Sequence, residues 1–251
     1  MINSAHRPRA ALLAVSLLLL AGCGGAPAEK LGAGGSAARR GEATPAPAPS
    51  ASRTAAPGRL PGLGPGTLAA IPARTRQAVV VTGRGRNSSR STVVLYERTE
   101  AGWRPGPSLP AHNALKGWTH HHRAGDLRSP IGVFTLTDAG GLRPDPGTRL
   151  PYDRSGAFTS PGTGFEGESL DGSFDYVVAV NYNRKPGTTP LDWTRPMGAA
   201  RGGGIWLHVD HGGPTHGCVG LHEDDLVDLM RALDPGLHPV VVMGDAASLA
   251  R

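Results

Sequence analysis

The sequence is short of cysteine, of aromatic side chains, and of charge imbalance in most of its length. It has two cysteines in 251 residues and only 5% aromatics. Its net charge is +6, yet the first 74 residues alone carry that excess: Arg7, Arg9, Lys30, Arg39, Arg40, Arg53, Arg59 and Arg74 against Glu29 and Glu42. From residue 75 onward basic and acidic groups balance. A neutral folded part without a basic stripe or aromatics for base stacking argues against nucleic-acid binding. The one apolar run, residues 10–21, is too short to span a bilayer comfortably.

What is present at the N-terminus is organised. Two arginines precede the apolar run, which ends in Leu20-Ala21-Gly22-Cys23. Small residues before a cysteine there resemble the bacterial lipobox, so residues 1–23 are expected to be a lipoprotein signal with Cys23 as the lipidated residue. Several acyl chains, at about 0.8 kcal/mol per buried CH₂, would hold the protein to the outer side of the cytoplasmic membrane. Residues 24–74 are mainly Ala, Gly, Pro and Ser, including Pro45-Ala46-Pro47-Ala48-Pro49. That composition has too little apolar bulk to offset ordering, and is expected to be a disordered tether.

The stretch 75–251 suffices for one domain with one core. Runs rich in β-branched residues at 77–82, 92–98, 132–137, 176–182, 204–209 and 238–243 are bounded by Gly, Pro, Asn and Asp and read as strands. One helix is expected over 223–233, where Leu226, Leu229, Met230 and Leu233 share a face, acids fill the first turn and Pro235-Gly236 follows. The fold class is therefore mainly β with one short helix after Cys218. Loops over 138–175 and 184–203 are long enough to serve a site, and are expected to wall a groove.

If Cys23 is lipidated, Cys218 is the only thiol left, and it lies in His208-Val209-Asp210-His211-Gly212-Gly213-Pro214-Thr215-His216-Gly217-Cys218. Alternation along 204–209 sends Ile205, Leu207 and Val209 to one face and Trp206 and His208 to the other. A turn at 210–214 then lets Cys218 return beside His208. A thiol is only slightly ionised at neutral pH, so a nucleophilic cysteine needs an adjacent imidazole to take its proton and pass it to a leaving amine. His208 fits that role. Backbone N–H groups at His216, Gly217 and Cys218 could receive an oxyanion, with Gly217 expected to supply an unusual φ. His216 is read as a positioning residue, His211 and His222 as solvated, and His120, His121 and His122 as a surface run.

At these residues the chain resembles the L,D-transpeptidase (YkuD-like) catalytic domain family. Thr215-His216-Gly217-Cys218 and Ile205-Trp206-Leu207-His208 are similar to the two halves of its signature, and Arg128-Ser129-Pro130-Ile131-Gly132-Val133-Phe134 is similar to a further family strand; the likeness covers roughly 77–244. It implies a β-sandwich or barrel, Cys218 as nucleophile, His208 as base and acid, and the Val209 carbonyl orienting His208. It also implies a peptidoglycan stem peptide as substrate, a thioester on Cys218, an amine or water as acceptor, and no cofactor. Ten positions between His208 and Cys218 are fewer than usual in the family, and Gly220 stands where Arg or Asn is common. Tyr176 and Tyr182 are the tyrosines considered as oxyanion partners. A monomer is expected. Three other readings stay open: zinc held by His208, His211 and His216; a Cys218–His238 pair; and a wall-binding lipoprotein without turnover.

Overall fold

A computed structural model describes residues 58–251; the signal, Cys23 and the tether up to residue 57 lie outside the described residues. The elements in chain order are α1 (Pro65–Ala70), β1 (Gln77–Gly83), β2 (Arg90–Thr99), β3 (Gly102–Pro105), β4 (Leu109–His112), β5 (Trp118–Thr119), β6 (Ser129–Pro130), β7 (Gly132–Gly141) and β8 (Tyr152–Arg154). They continue with β9 (Val177–Val180), β10 (Trp206–Val209), β11 (Val219–Leu221), α2 (Glu223–Ala232), β12 (Val240–Asp245) and α3 (Ala246–Leu249). Eight strands close a ring in the order β1, β12, β7, β9, β10, β11, β4, β2 and back to β1. The protein is thus mainly β, built on a closed barrel. Every strand expected from sequence is present, with ends shifted by a few residues; β3, β4, β5, β6, β8 and β11 were not expected, being two to four residues long and carrying Pro or Gly in several cases.

Barrel closure removes edge strands and leaves one face of each strand to fill the interior. Val79 and Val81 of β1, Val93 of β2, Leu207 of β10 and Leu221 of β11 meet there. The apolar stripe of α2, Leu226, Leu229, Met230 and Leu233, is buried in the same cluster. Gln77 fixes the end of that helix, donating to the Ala232 carbonyl (2.8 Å) and accepting from Asp234 N (2.8 Å).

On the other face of β1 and β12 lies a second cluster, in which Ala78, Val80, Val240 and Val242 pack against Leu60, Trp103 and Leu249. Residues 58–74, expected to belong to the tether, are therefore part of the domain. Leu60 is 2% exposed, and Gly64 N and Gly66 N donate to the carbonyls of Leu249 and Arg251. Four aliphatic residues, Leu60, Leu63, Leu68 and Ile71, give this stretch the burial that the preceding Ala/Pro-rich residues lack.

The long loops are only partly loops. β7 extends to Gly141 through a register irregularity between Leu136 and Ala139, and β8 adds to it. At that bulge Asp138 turns into the protein and pairs with Arg184 (2.8 Å), both nearly fully buried. Gly187 N donates to the same carboxylate (2.9 Å), while Asn183 ties Gly198 and Gly202 carbonyls (3.0 and 2.6 Å). The excursion 184–203 is thereby pinned at both ends. No helix among the described residues is long and apolar enough to cross a membrane.

Candidate active site

β10 and β11 run parallel, Leu207 opposite Val219 and His208 opposite Gly220, although only nine residues, 210–218, connect them. Parallel neighbours usually need a longer crossover. The short return is held by Asp210 N donating to Leu221 O (2.6 Å), Thr215 N to Asn113 O (3.0 Å) and Thr215 Oγ1 to Cys218 O (2.7 Å). Ile205 and Leu207 enter the barrel core and Val209 packs against it. The opposite face carries Trp206 and His208, with Cys218 one step before β11 beside Trp206. His208 and Cys218 are thus diagonal neighbours on one face, about 7–8 Å apart at the backbone.

His208 is 2% exposed and donates from Nδ1 to the Val209 carbonyl (2.8 Å), which leaves Nε2 as the basic nitrogen. Phe174 meets its ring edge-on (5.6 Å) and His211 stacks on it (5.8 Å, 9° between planes). Burial pushes His208 down to about 4, against a smaller opposing pull from the Val209 carbonyl. Burial likewise pushes the Cys218 thiol up to about 11, only partly offset by Trp206 N, which donates to the sulfur (3.4 Å). The thiol itself donates to Gly204 O (3.5 Å). At neutral pH the pair is a neutral thiol and a neutral imidazole, without a hydrogen bond between them. Loss of solvent around both groups disfavours their charged forms.

The N–H groups of His216, Gly217 and Cys218 find no acceptor in loops, turns or side chains among the described residues. Gly217 does not have the positive φ expected of it; a Cβ there would come within 2.9 Å of Ile205 Cδ1, so a larger residue would have to push that side chain aside. Gly220 has an equally local reason: a Cβ there would meet Asp210 Oδ1 at 2.8 Å, and Asp210 is held by His112 (3.0 Å).

Other histidines depart from expectation. The side chain of His211 is only 5% exposed rather than solvated, bound through Nδ1 to Glu168 Oε1 (3.1 Å). Glu168 threads between Gly164 and Gly213, where any Cβ would overlap its carboxylate. His122 is buried too, 3.0 Å from Asp126 and edge-on to Tyr182 (5.3 Å). His216 is exposed, its ring 4.6 Å from that of Phe165. The three imidazoles of the zinc reading do not converge, since two stack in parallel and the third faces Phe165; among the described residues no three His, Cys, Asp or Glu side chains are grouped to hold a metal. His238 lines a different cavity with Pro72 and Arg74, away from Cys218. Tyr182 donates to the Arg201 carbonyl (2.9 Å), and Tyr176 packs against the barrel core.

Two cavities flank the β10 face. One of about 390 Å³ is lined by Cys218, Gly217, His216, His122, Trp193 and Arg195. The other, about 550 Å³, is lined by Trp206, Phe174, Leu191, Trp193 and Arg195 among others. Gly203 and Gly204 border both. Loop 184–203 and parts of 138–175 supply these walls. Arg195, Glu168 and Phe174 were not singled out from sequence. The run Gly202-Gly203-Gly204 ahead of β10 was the available signal, since consecutive glycines mark close approach to a backbone.

A family model for the YkuD L,D-transpeptidase catalytic domain matches residues 73–242. Among solved structures, that of Bdellovibrio bacteriovorus Bd1075 is similar, with 17% identity over 68% of this chain and a TM-score of 0.38; the match spans 48% of that chain, about half its length. No curated protein matches. On the strength of a match over most of its length, the chain belongs to the YkuD family of L,D-transpeptidase catalytic domains.

Proposed function

We propose that this protein is a cysteine acyltransferase acting on peptidoglycan stem peptides, cleaving the bond between the L-centre of a diamino acid and D-alanine. The observation that carries the reading is the shared face of β10 and β11. What supports it is that His208, with Nδ1 tied to the Val209 carbonyl, shares that face with Cys218, and that Cys218 lines a cavity together with His216 and Gly217, whose N–H groups have no acceptor among the described residues.

In the reaction, Cys218 Sγ attacks the stem carbonyl while His208 Nε2 takes the thiol proton. Burial raises the Cys218 thiol to about 11 and lowers His208 to about 4, so full proton transfer before attack is unfavourable. Proton transfer and bond formation therefore proceed together, and the charge that develops falls on the carbonyl oxygen. The N–H groups of 216–218 receive it; one such donor is typically worth about 3–4 kcal/mol of barrier. His208 then returns the proton to the leaving nitrogen, D-alanine departs, and a thioester on Cys218 passes to an amine or to water. In this reading Cys23 carries the lipid, and the protein works as a monomer outside the cytoplasmic membrane.

The test is incubation of the full-length protein with tetrapeptide-bearing muropeptides. Expected are release of D-alanine and a mass increase on Cys218 equal to the acylated stem. No D-alanine and no mass change would overturn the proposal.

A further inference from the structure

Arg195 sits on the wall shared by both cavities, and among the described residues no Asp, Glu or Lys lines either of them. Its guanidinium is fixed without being neutralised. Nη1 donates to the carbonyls of Asp192 (3.0 Å) and Thr194 (3.1 Å), and the group lies 5.0 Å from the centre of the Trp193 ring. Asp192, on the same turn, acts on the Arg195 charge from nearby but directs its carboxylate to Thr194 N (2.6 Å), and among the described residues no carboxylate lies within ion-pair distance of Arg195. Gly203 makes room, since a Cβ there would overlap Arg195 Nε, and Gly204 lies in contact range, a Cβ on it falling 3.5 Å from Nη2. Gly204 is also the residue whose carbonyl accepts from the Cys218 thiol. The unoccupied edge of the guanidinium and the nucleophile thus converge on one backbone residue.

We infer that Arg195 receives the free carboxylate of the D-alanine that leaves as Cys218 is acylated. The inference rests on the acyl-transfer reading above and adds what selects the substrate. A carboxylate one residue beyond the scissile carbonyl lies about 3.8 Å further along the chain, a step that fits a cation beside Gly204. In acylation the Sγ–C bond forms, the C–N bond to D-alanine breaks, and the thiol proton ends on the leaving amine. Arg195 takes no part in proton transfer; it holds the leaving residue's carboxylate so that the scissile carbonyl faces the sulfur. Arginine suits this, because its planar fork binds a carboxylate through two donors.

The experiment compares two stem tetrapeptides that differ only at the C-terminus, free carboxylate against carboxamide, on the full-length protein, with acylation of Cys218 followed by mass. The carboxylate form is expected to react roughly ten- to hundredfold faster, the usual worth of a hydrogen bond to a charged group. In Arg195→Gln the two rates converge, while Arg195→Lys keeps part of the preference. A cooperative melting transition at the temperature of the unaltered protein verifies that the variants remain folded. Equal rates in the unaltered protein, or an undiminished preference in a folded Arg195→Gln, would overturn the inference. If Arg195→Gln does not fold, the unaltered protein and Arg195→Lys still decide. Failure of both peptides to acylate a Cys218 that maleimide labels would instead sink the acyl-transfer reading.

Discussion

The barrel contains two parallel pairs, β1 with β12 and β10 with β11, whose inner faces are interchangeable and whose outer faces are not. Inside, Val79 and Val241 do what Leu207 and Val219 do. Outside, β1 and β12 present Ala78, Val80, Val240 and Val242 to Leu60 and Leu249, a second apolar core. The outer face of β10 and β11 instead presents Trp206, His208 and Cys218 beneath Phe174 and His211. One pair is closed over with hydrocarbon and contributes stability. The other is covered by aromatic rings over a buried His208, with a partly exposed Cys218 beside it. The same ring of strands thus separates anchoring from chemistry.

Breaking the second pair should have the largest effect. His208→Ala is expected to lower the rate of Cys218 acylation by three orders of magnitude or more, roughly what loss of a general base costs, and His238→Ala to leave it unchanged. Single-turnover acylation followed by mass spectrometry reads both. A folded His208→Ala protein that acylates at the ordinary rate would remove the distinction drawn between the two faces.

Breaking the first pair should cost stability and spare chemistry. Leu60→Ala empties a 2% exposed site between β1, β12 and α3, and about 2–5 kcal/mol is expected in chemical denaturation. Acylation at a temperature where the variant is folded should be unaltered. Removing everything before Thr75 should be worse, because it also strips Leu63, Leu68 and Ile71.

This boundary shows where sequence reasoning reached and where it stopped. Period-two alternation at 204–209 and the β-branched runs were sufficient to place His208 on the non-core face and to find the barrel's longer strands. The ring could not be closed on paper, because β4 contains Pro110 and β11 is the three residues Val-Gly-Leu. Residues 58–74 looked like tether because four aliphatics are diluted by Gly and Pro. The burial of His211 was invisible for a different reason: it depends on Glu168, 43 positions away, fitting between two glycines that lack side chains. Arg195 likewise acquires meaning only when loop 184–203 is folded over Gly203 and Gly204.

Acidity probes the contrast more gently. A buried imidazole lowered to about 4 stays neutral in the folded chain while the unfolded chain takes up a proton below about 6.5. Stability should therefore fall as pH drops from 6.5 towards 4, by up to about 3 kcal/mol for this one group. The thiol acts in the opposite range, its contribution being lost between pH 9 and 11 as only the unfolded chain ionises readily. Urea melts at stepped pH check the first limb. The alkylation rate of Cys218 in the free protein checks the second, and should climb only towards pH 11. A plateau of fast alkylation near pH 6 would mean a resting ion pair and contradict the neutral site.

The smallest expected effect lies in the ring stacked on His208. His211 contributes like-charge repulsion that lowers His208 further, and its stacked ring helps to shield that imidazole from water. His211→Asn removes both, so the His208 pKa should rise and the acidic limb of acylation should move to higher pH by a fraction of a unit, with the rate at pH 7 to 8 little changed. Glu168→Gln leaves the His211 ring stacked in place and admits no water, so it should move the acidic limb less than His211→Asn does. Opposed or separable shifts from the two variants would assign the effect to hydration of the His208 pocket, and identical shifts would assign it to charge alone.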